Sequence, residues 1–227
     1  MHRFLRHSAL LTLLAATLTL AGGCNIIGAG AVLADKIVPA KVEPQYKGLA
    51  GQSVAVMVWS DRGIRIDYPS IQIDCATSIQ NKLLAAQKDK SKELKETKFP
   101  VLPASIARYQ AKYPQTQSRP IAEVAPHLAN RTGLTRLIYV EIEGFSTRPA
   151  PGVDLFRGSM AGSVKVIEIK DGKARAVYEE SDVHAAFPKK APEEGTPNLD
   201  DQKIYGGTLN EFTTEIVKRF VTHEEDD

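Results

Sequence analysis

Two pairs of side chains stand at spacings that chemistry can use. Glu141 and Glu143 lie two apart in LTRLIYVEIEGFST, residues 134–147. On a strand they share one face, about 6.5–7 Å apart, a separation at which two carboxylates can flank a glycosidic bond. Asp182 and His184 repeat that spacing in ARAVYEESDVHAAF, and an acid beside an imidazole lacks only a serine to make a hydrolytic triad. The plainer meaning of both pairs is solvated polar positions on a sheet, and that reading is adopted. GSMAG, residues 158–162, has its serine one place off the nucleophile-elbow spacing. GAGAVL, residues 28–33, follows no strand and lacks the third glycine of a dinucleotide loop. HExxH, CxxC and the P-loop are missing, so no catalytic, metal-binding or cofactor-binding residue is assigned. The expectation is a protein that is not an enzyme, with an envelope hydrolase working through Glu141 and Glu143 or His184 as the alternative.

A different chemistry is written at the N-terminus. MHRFLRHS places Arg3 and Arg6 ahead of an uncharged stretch from Ala9 to Gly23, and TLTLAGGCNIIG, residues 17–28, brings small residues up to Cys24. A basic start, an apolar middle and small residues before a cut make a secretory signal. Ala21, Gly22 and Gly23 before Cys24 resemble the lipobox of bacterial lipoproteins, with Ala21 in the slot that family usually gives to leucine. That resemblance implies cleavage before Cys24 and acylation of its thiol. A plain cleaved signal and an uncleaved anchor running through IIGAGAVLA are the rivals; an apolar run of that length can span a bilayer, but Gly22, Gly23, Gly28 and Gly30 weaken it as a helix by about 1 kcal/mol each. Asn25, where the family's inner-membrane proteins carry Asp, points to the outer membrane. In such a protein the sequon Asn130-Arg131-Thr132 carries no meaning.

Removing 23 residues from 227 leaves 204, and losing Arg3 and Arg6 from 29 basic residues leaves 27 against 27 acidic. A neutral chain gives no reason to expect nucleic acid as partner. KDKSKELKETK, residues 88–98, is rich in lysine but has no interleaved aromatic, so it reads as a solvated run. With Cys24 acylated, Cys75 has no intrachain partner, and the fold must rest on a core rather than on disulfides.

The elements that carry these residues follow from periodicity. Residues 53–59, SVAVMVW, suit a strand buried on both faces, and SDRGIRIDYP follows as a loop. Ile71, Cys75, Ile79 and Leu83 fall at four-residue steps on one helix face, which makes Cys75 a core residue rather than a reactive thiol. FPVLP, residues 99–103, reads as a short strand and ASIARYQAKYP as a short helix. In RPIAEVAPHLANRTG the stripe Ile121, Val124, Ala125, Leu128, Ala129 is helical and Gly133 suits the cap. Pro126 interrupts it, so the helix is either kinked or starts late, and His127 sits on its surface. Ile138, Val140 and Ile142 face a core while Tyr139, Glu141 and Glu143 face a wetter side. Asp171-Gly172 marks a two-residue hairpin turn, and Gly158 and Gly162 on one side of the strand before it signal a bulge or a close neighbour. PKKAPEEGTPNLDDQK, residues 188–203, is a polar loop. Leu209, Phe212, Ile216 and Phe220 make the face of a final helix, with His223 in an acidic end. No internal repeat is present.

This order of elements behind a lipobox resembles the periplasmic domain shared by the curli-secretion lipoproteins and the lipoprotein activators of penicillin-binding proteins. The similar stretches are SVAVMVW with its helix, AEVAPHLANRTGLTRLIYVEIEG and GSVKVIEIKDGKARAVYEES. The resemblance implies an α/β (α+β) fold, a single three-layer domain with a mixed sheet. The organisation expected is a signal over 1–23, a lipid-anchored tether over 24–52, the domain over 53–222 and an acidic tail over 223–227. FSTRPAPGVDLFRGS and PKKAPEEGTPNLDDQK lack the alternating apolar band of barrel strands, which argues against a secretion pore. The function expected is a binding or assembly module of an envelope complex, held to the membrane through acylated Cys24. Its partner is expected to be an envelope protein met by the loops at 146–158 and 188–203, with self-assembly into a homo-oligomer a further possibility.

Overall fold

Strand β1, Val54–Ser60, is the β-branched run read above, and all of it except Trp59 is buried. It belongs to a computed structural model that describes residues 40–117, 119–150, 154–197 and 200–225. Cys24, the signal, the tether through residue 39 and the last two tail residues lie outside the described residues. After β1 come helices α1, Arg62–Asp67, α2, Ile71–Lys88, α3, Pro103–Lys112, and α4, Ile121–Thr132. Strands β2, Arg136–Ser146, β3, Gly158–Lys170, and β4, Lys173–Phe187, precede the last helix, α5, Asp201–Lys218.

The sheet is ordered β1-β2-β3-β4. β1 and β2 are parallel, Val54 beside Arg136, whereas β2, β3 and β4 are antiparallel. Parallel strands need a long crossover, and α1 to α4 supply it. One sheet face carries Val54, Val56, Val58, Ile138, Val140, Ile142, Val164 and Val166 against α2 and α5. The other carries Ala55, Met57, Leu137, Tyr139, Ile167 and Ile169 against Ile106 of α3 and Val124, Ala125 and Leu128 of α4. The fold is a mixed-sheet α/β domain in three layers, as expected. Tyr139 is a correction: its face is covered by α3 and α4, and that face opens only from Glu141 onward.

Several elements depart from the sequence reading. SDRGIRIDYP contains α1, capped where the Asp61 carboxylate accepts the Ile64 amide at 2.8 Å, a short polar helix whose pattern is too brief to show a period. FPVLP forms no strand; Lys98 makes one parallel bridge with Ser53, and prolines at 100 and 103 offer no amides to extend it. Helix α4 begins at Ile121 and runs through Pro126 to a left-handed cap at Gly133, φ 68°, so it does not start late. Helix α5 begins at Asp201, inside the stretch read as loop, with the Asp200 carboxylate accepting the Lys203 amide at 2.7 Å. It ends at Lys218, so the buried Phe220 lies beyond the helix it was assigned to.

The chain divides into two units. Glu43–His223 carries the fold, and the other unit consists of the two chain ends. In that second unit the Glu225 amide donates to the Ala40 carbonyl at 2.9 Å. Residues 43–52, read above as the end of a tether, are packed into the first unit: Leu49 is fully buried and its carbonyl accepts the Thr97 hydroxyl at 2.8 Å. No helix among the described residues is long and apolar enough to cross a membrane.

Candidate functional site

The two acid pairs are far apart in character from an assembled catalytic centre. The register of β2 against β3 slips between Ile142 and Gly144, so Glu143 sits in a bulge and the simple alternation that would align it with Glu141 is broken. Both acids act on Lys165 of β3, whose ammonium bonds Glu179 of β4 at 2.9 Å and is held above the ordinary lysine range mainly by that bond. The Tyr139 phenol is pushed up by burial and then by the neighbouring Glu141. These groups form a polar ladder of three carboxylates around one ammonium. Asp182 and His184 do touch, through Oδ1 and Nε2, but both are largely exposed, 84% and 62%. Asp182 has φ 71° in a second bulge, where β4 slips against β3 beside Gly162. His184 shares an open cleft of about 630 Å³ with Ser146 and Ser159. Ser146 spends its hydroxyl on the Arg148 carbonyl at 2.5 Å.

Cys75 is fully buried, and burial raises its thiol above the ordinary range. His127 and Asn130 both line a cleft on α4, and the His223 ring is half-buried, 3.2 Å from the Val221 carbonyl. Among the described residues no cluster of His, Cys, Asp or Glu is placed to hold a metal ion. Cys24, the expected acylation site, lies outside the described residues.

What the fold does assemble is one end of the sheet. β2 leaves it at Ser146, and the next residues are tied to the start of α5: Thr147 Oγ1 donates to Asp201 at 2.7 Å, and Arg148 pairs with the same carboxylate at 2.8 Å. Arg148 also reaches Asp154 at 3.6 Å and lies over the Phe156 ring, 4.6 Å from its centroid. The Arg148 and Thr147 hydrogen bonds hold the Asp201 carboxyl below the usual range. A cleft of about 520 Å³ opens beside this cluster, lined by Asp67, Tyr68, Thr147, Arg148 and Asp201. Beneath it Tyr68, Phe145 and Tyr205 pack ring to ring, 4.5 to 5.9 Å between centroids. The Tyr205 hydroxyl donates to Asp74 at 2.7 Å. The loop that follows β4 is held here too, by a Phe156–Thr196 bridge and a Lys189–Glu211 ion pair of 2.9 Å.

The opposite end receives the chain. Tyr46 donates its amide to the Arg219 carbonyl at 2.9 Å, accepts from Arg136 Nε at 3.2 Å, and packs its ring on Tyr178 and Phe220. Arg136 and Arg175 share Glu168, at 2.8 and 2.6 Å. Arg136 and Ser146 are the two ends of the 11-residue β2, about 33 Å apart at strand rise. The loops singled out from sequence therefore lie together at the end remote from where the chain enters. The Arg148–Asp201 link and the aromatic cluster escaped the sequence reading because their members are 53 and more residues apart and show no local pattern.

No protein-family model matches the chain, and no curated protein matches it in sequence. Solved structures similar to it include a single-residue variant of the PelC dodecamer from Paraburkholderia phytofirmans, with 9% identity, coverage of 81% of this chain and 98% of that one, and a TM-score of 0.45. The hypothetical protein CT253 from Chlamydia trachomatis gives 16%, 74%, 97% and 0.41 in the same order. Lipoprotein GNA1162 from Neisseria meningitidis gives 12%, 74%, 96% and 0.40. These are likenesses of outline, with TM-scores of 0.45 and below, too slight to carry a function across.

Proposed function

We propose that this chain is a lipoprotein of the bacterial envelope, cut before Cys24 and acylated there, whose domain is a non-enzymatic binding or assembly module. Asn25 favours the periplasmic face of the outer membrane. The observation that carries the reading is the polarity of the domain. The chain enters at the Tyr46 and Arg136 end, and the two loops tied to α5 by Arg148, Asp201, Lys189 and Glu211 stand at the other. An anchored domain meets a partner best on the side away from its anchor, and loops are where binding residues concentrate. Helix α5, 18 residues or about 27 Å long, joins the two ends.

The test is site-specific photocrosslinking in intact cells. A photoreactive residue at Arg157 or Lys190 is expected to capture an envelope protein, and one at Asp171 or Lys173, on the hairpin turn beside the chain entry, is not. Capture confined to the hairpin turn, or no capture at any of the four from an abundant protein, overturns the reading. Capture of a second copy from the loop end identifies the module as a homo-oligomer.

A further inference from the structure

The outer side of the α3–α4 layer holds a cleft of about 430 Å³ that none of the above uses. It falls within the roughly 300–1,000 Å³ of small-molecule sites. Tyr109 and Tyr113, one turn apart on and just after α3, set their rings 4.9 Å apart at 48°. Both are half-buried, with the fully covered side chain of Val124 behind them. Positive charge surrounds this aromatic pair. Lys112 Nζ lies 5.5 Å from the Tyr113 ring centroid, and Arg119 and Arg131 line the cleft. Among the described residues neither Arg119 nor Arg131 has a carboxylate within ion-pair distance, as is also true of Arg62, Arg65, Arg108 and Arg157, so both charges are open to a ligand. Burial raises the Tyr109 phenol, and the nearby Arg131 charge works the other way.

The remaining groups narrow the ligand. His127 and Asn130 offer both donors and acceptors, and Glu123 is an acceptor only. A phosphate or sulfate, which presents acceptors alone, gains from the arginines but is repelled by Glu123. A neutral sugar satisfies Glu123 and the rings but leaves two guanidinium groups unused. A sugar ring that bears a carboxylate meets all of them: its hydroxyls donate to Glu123 and exchange bonds with His127 and Asn130. Its carboxylate takes the planar fork of an arginine, and its C–H face lies on a tyrosine ring. We propose that this cleft binds an acidic sugar unit of a polysaccharide. The proposal rests on the cleft alone and not on where the chain is anchored or what meets its loops.

The experiment is calorimetric titration of the full chain in detergent micelles with four probes: trigalacturonate, maltotriose, triglutamate and inorganic phosphate. Trigalacturonate is expected to bind, at least tenfold more tightly than the other three. Arg131→Gln and Arg119→Gln, both at exposed positions, are each expected to weaken it about tenfold. Tyr113→Ala is expected to abolish it, while Tyr113→Phe retains it, since the ring face and not the hydroxyl is used. Unchanged melting temperatures separate these effects from misfolding. Tighter binding of triglutamate or phosphate, equal binding of maltotriose, no binding of any probe, or trigalacturonate binding that survives both arginine substitutions overturns the proposal.

Discussion

A Cβ on Gly162 would stand 2.2 Å from the carbonyl oxygen of Glu141 and 3.1 Å from the Phe212 ring. The first neighbour is backbone of the adjacent strand and cannot swing aside, so the glycine signals a close approach, as its place in a strand suggested. Gly162→Ala is therefore expected to destabilise the fold by about 1–3 kcal/mol, measured as a shift in the urea midpoint at constant slope. An unchanged midpoint would show that β2 and β3 lie further apart than described. Cys75 illustrates the reverse case, a residue whose chemistry is switched off by position. It is enclosed with Ile71, Ile79 and Leu83 in the layer under α2, and burial raises its thiol. Only the thiolate is nucleophilic. In a Cys24→Ala background Cys75 is expected to resist a thiol reagent at neutral pH until urea unfolds the chain, at which point one thiol reacts. Reaction in the native state at the unfolded rate would contradict its burial.

Helix α5 carries the domain's polarity, and two adjacent glycines within it respond to opposite demands. A methyl group at Gly206 meets nothing within 4 Å, whereas one at Gly207 would lie 2.3 Å from the Phe187 ring. Gly206→Ala is expected to stabilise by up to about 1 kcal/mol, the helix-propensity gain, and Gly207→Ala to destabilise by about 1–3 kcal/mol through overpacking. Thermal melts of the two variants, with shifts of opposite sign, check the packing of β4 on α5. The same glycines explain why the start of this helix was hidden: Gly-Gly amid Asp, Pro and Lys reads locally as loop, and only the distant Phe187 reveals its use. The strands β1 to β4, the Asp171-Gly172 turn and the Cys75 stripe were legible because each is set by a period or a turn within a dozen residues. The loop end was legible only as two polar stretches, since Arg148, Asp154, Phe156 and Asp201 meet through tertiary contacts. Covering of Tyr139 was missed for the same reason. Helix α4 lies over that face although Pro126 breaks its sequence pattern, the packing of Val124, Ala125 and Leu128 offsetting the lost hydrogen bond.

At the scale of the whole molecule, charge ties the two ends to the sheet, and acid should loosen both. Hydrogen bonds hold two carboxyls below the ordinary range: Asp201 through Arg148 and then Thr147, and Glu168 through Arg175, with Arg136 adding to it. A carboxyl depressed in the folded state stabilises the fold fully above its unfolded pKa and loses that contribution as pH falls through its folded value. The urea midpoint is therefore expected to be flat from pH 7 to about 5 and to fall below about pH 4, with Asp201→Asn showing a lower midpoint at pH 7 and a shallower fall; a parallel, undiminished fall in that variant would remove Asp201 from the account. The anchor is a separate question of scale. Residues 24 to 43 span at most roughly 70 Å when fully extended, so the proposed acylation of Cys24 would keep Glu43 within that distance of a membrane. One acyl chain binds a membrane only marginally and stable attachment takes more than one, so the proposed anchor requires more than one chain on the modified cysteine. Cys24→Ala is expected to abolish labelling by radioactive palmitate, with the melting temperature of the domain unchanged because Leu49, Tyr46 and the rest of the packed unit begin at Glu43. Label retained by the variant, or a wild-type chain released from membranes by salt and carbonate washes, would show that Cys24 is not the anchor.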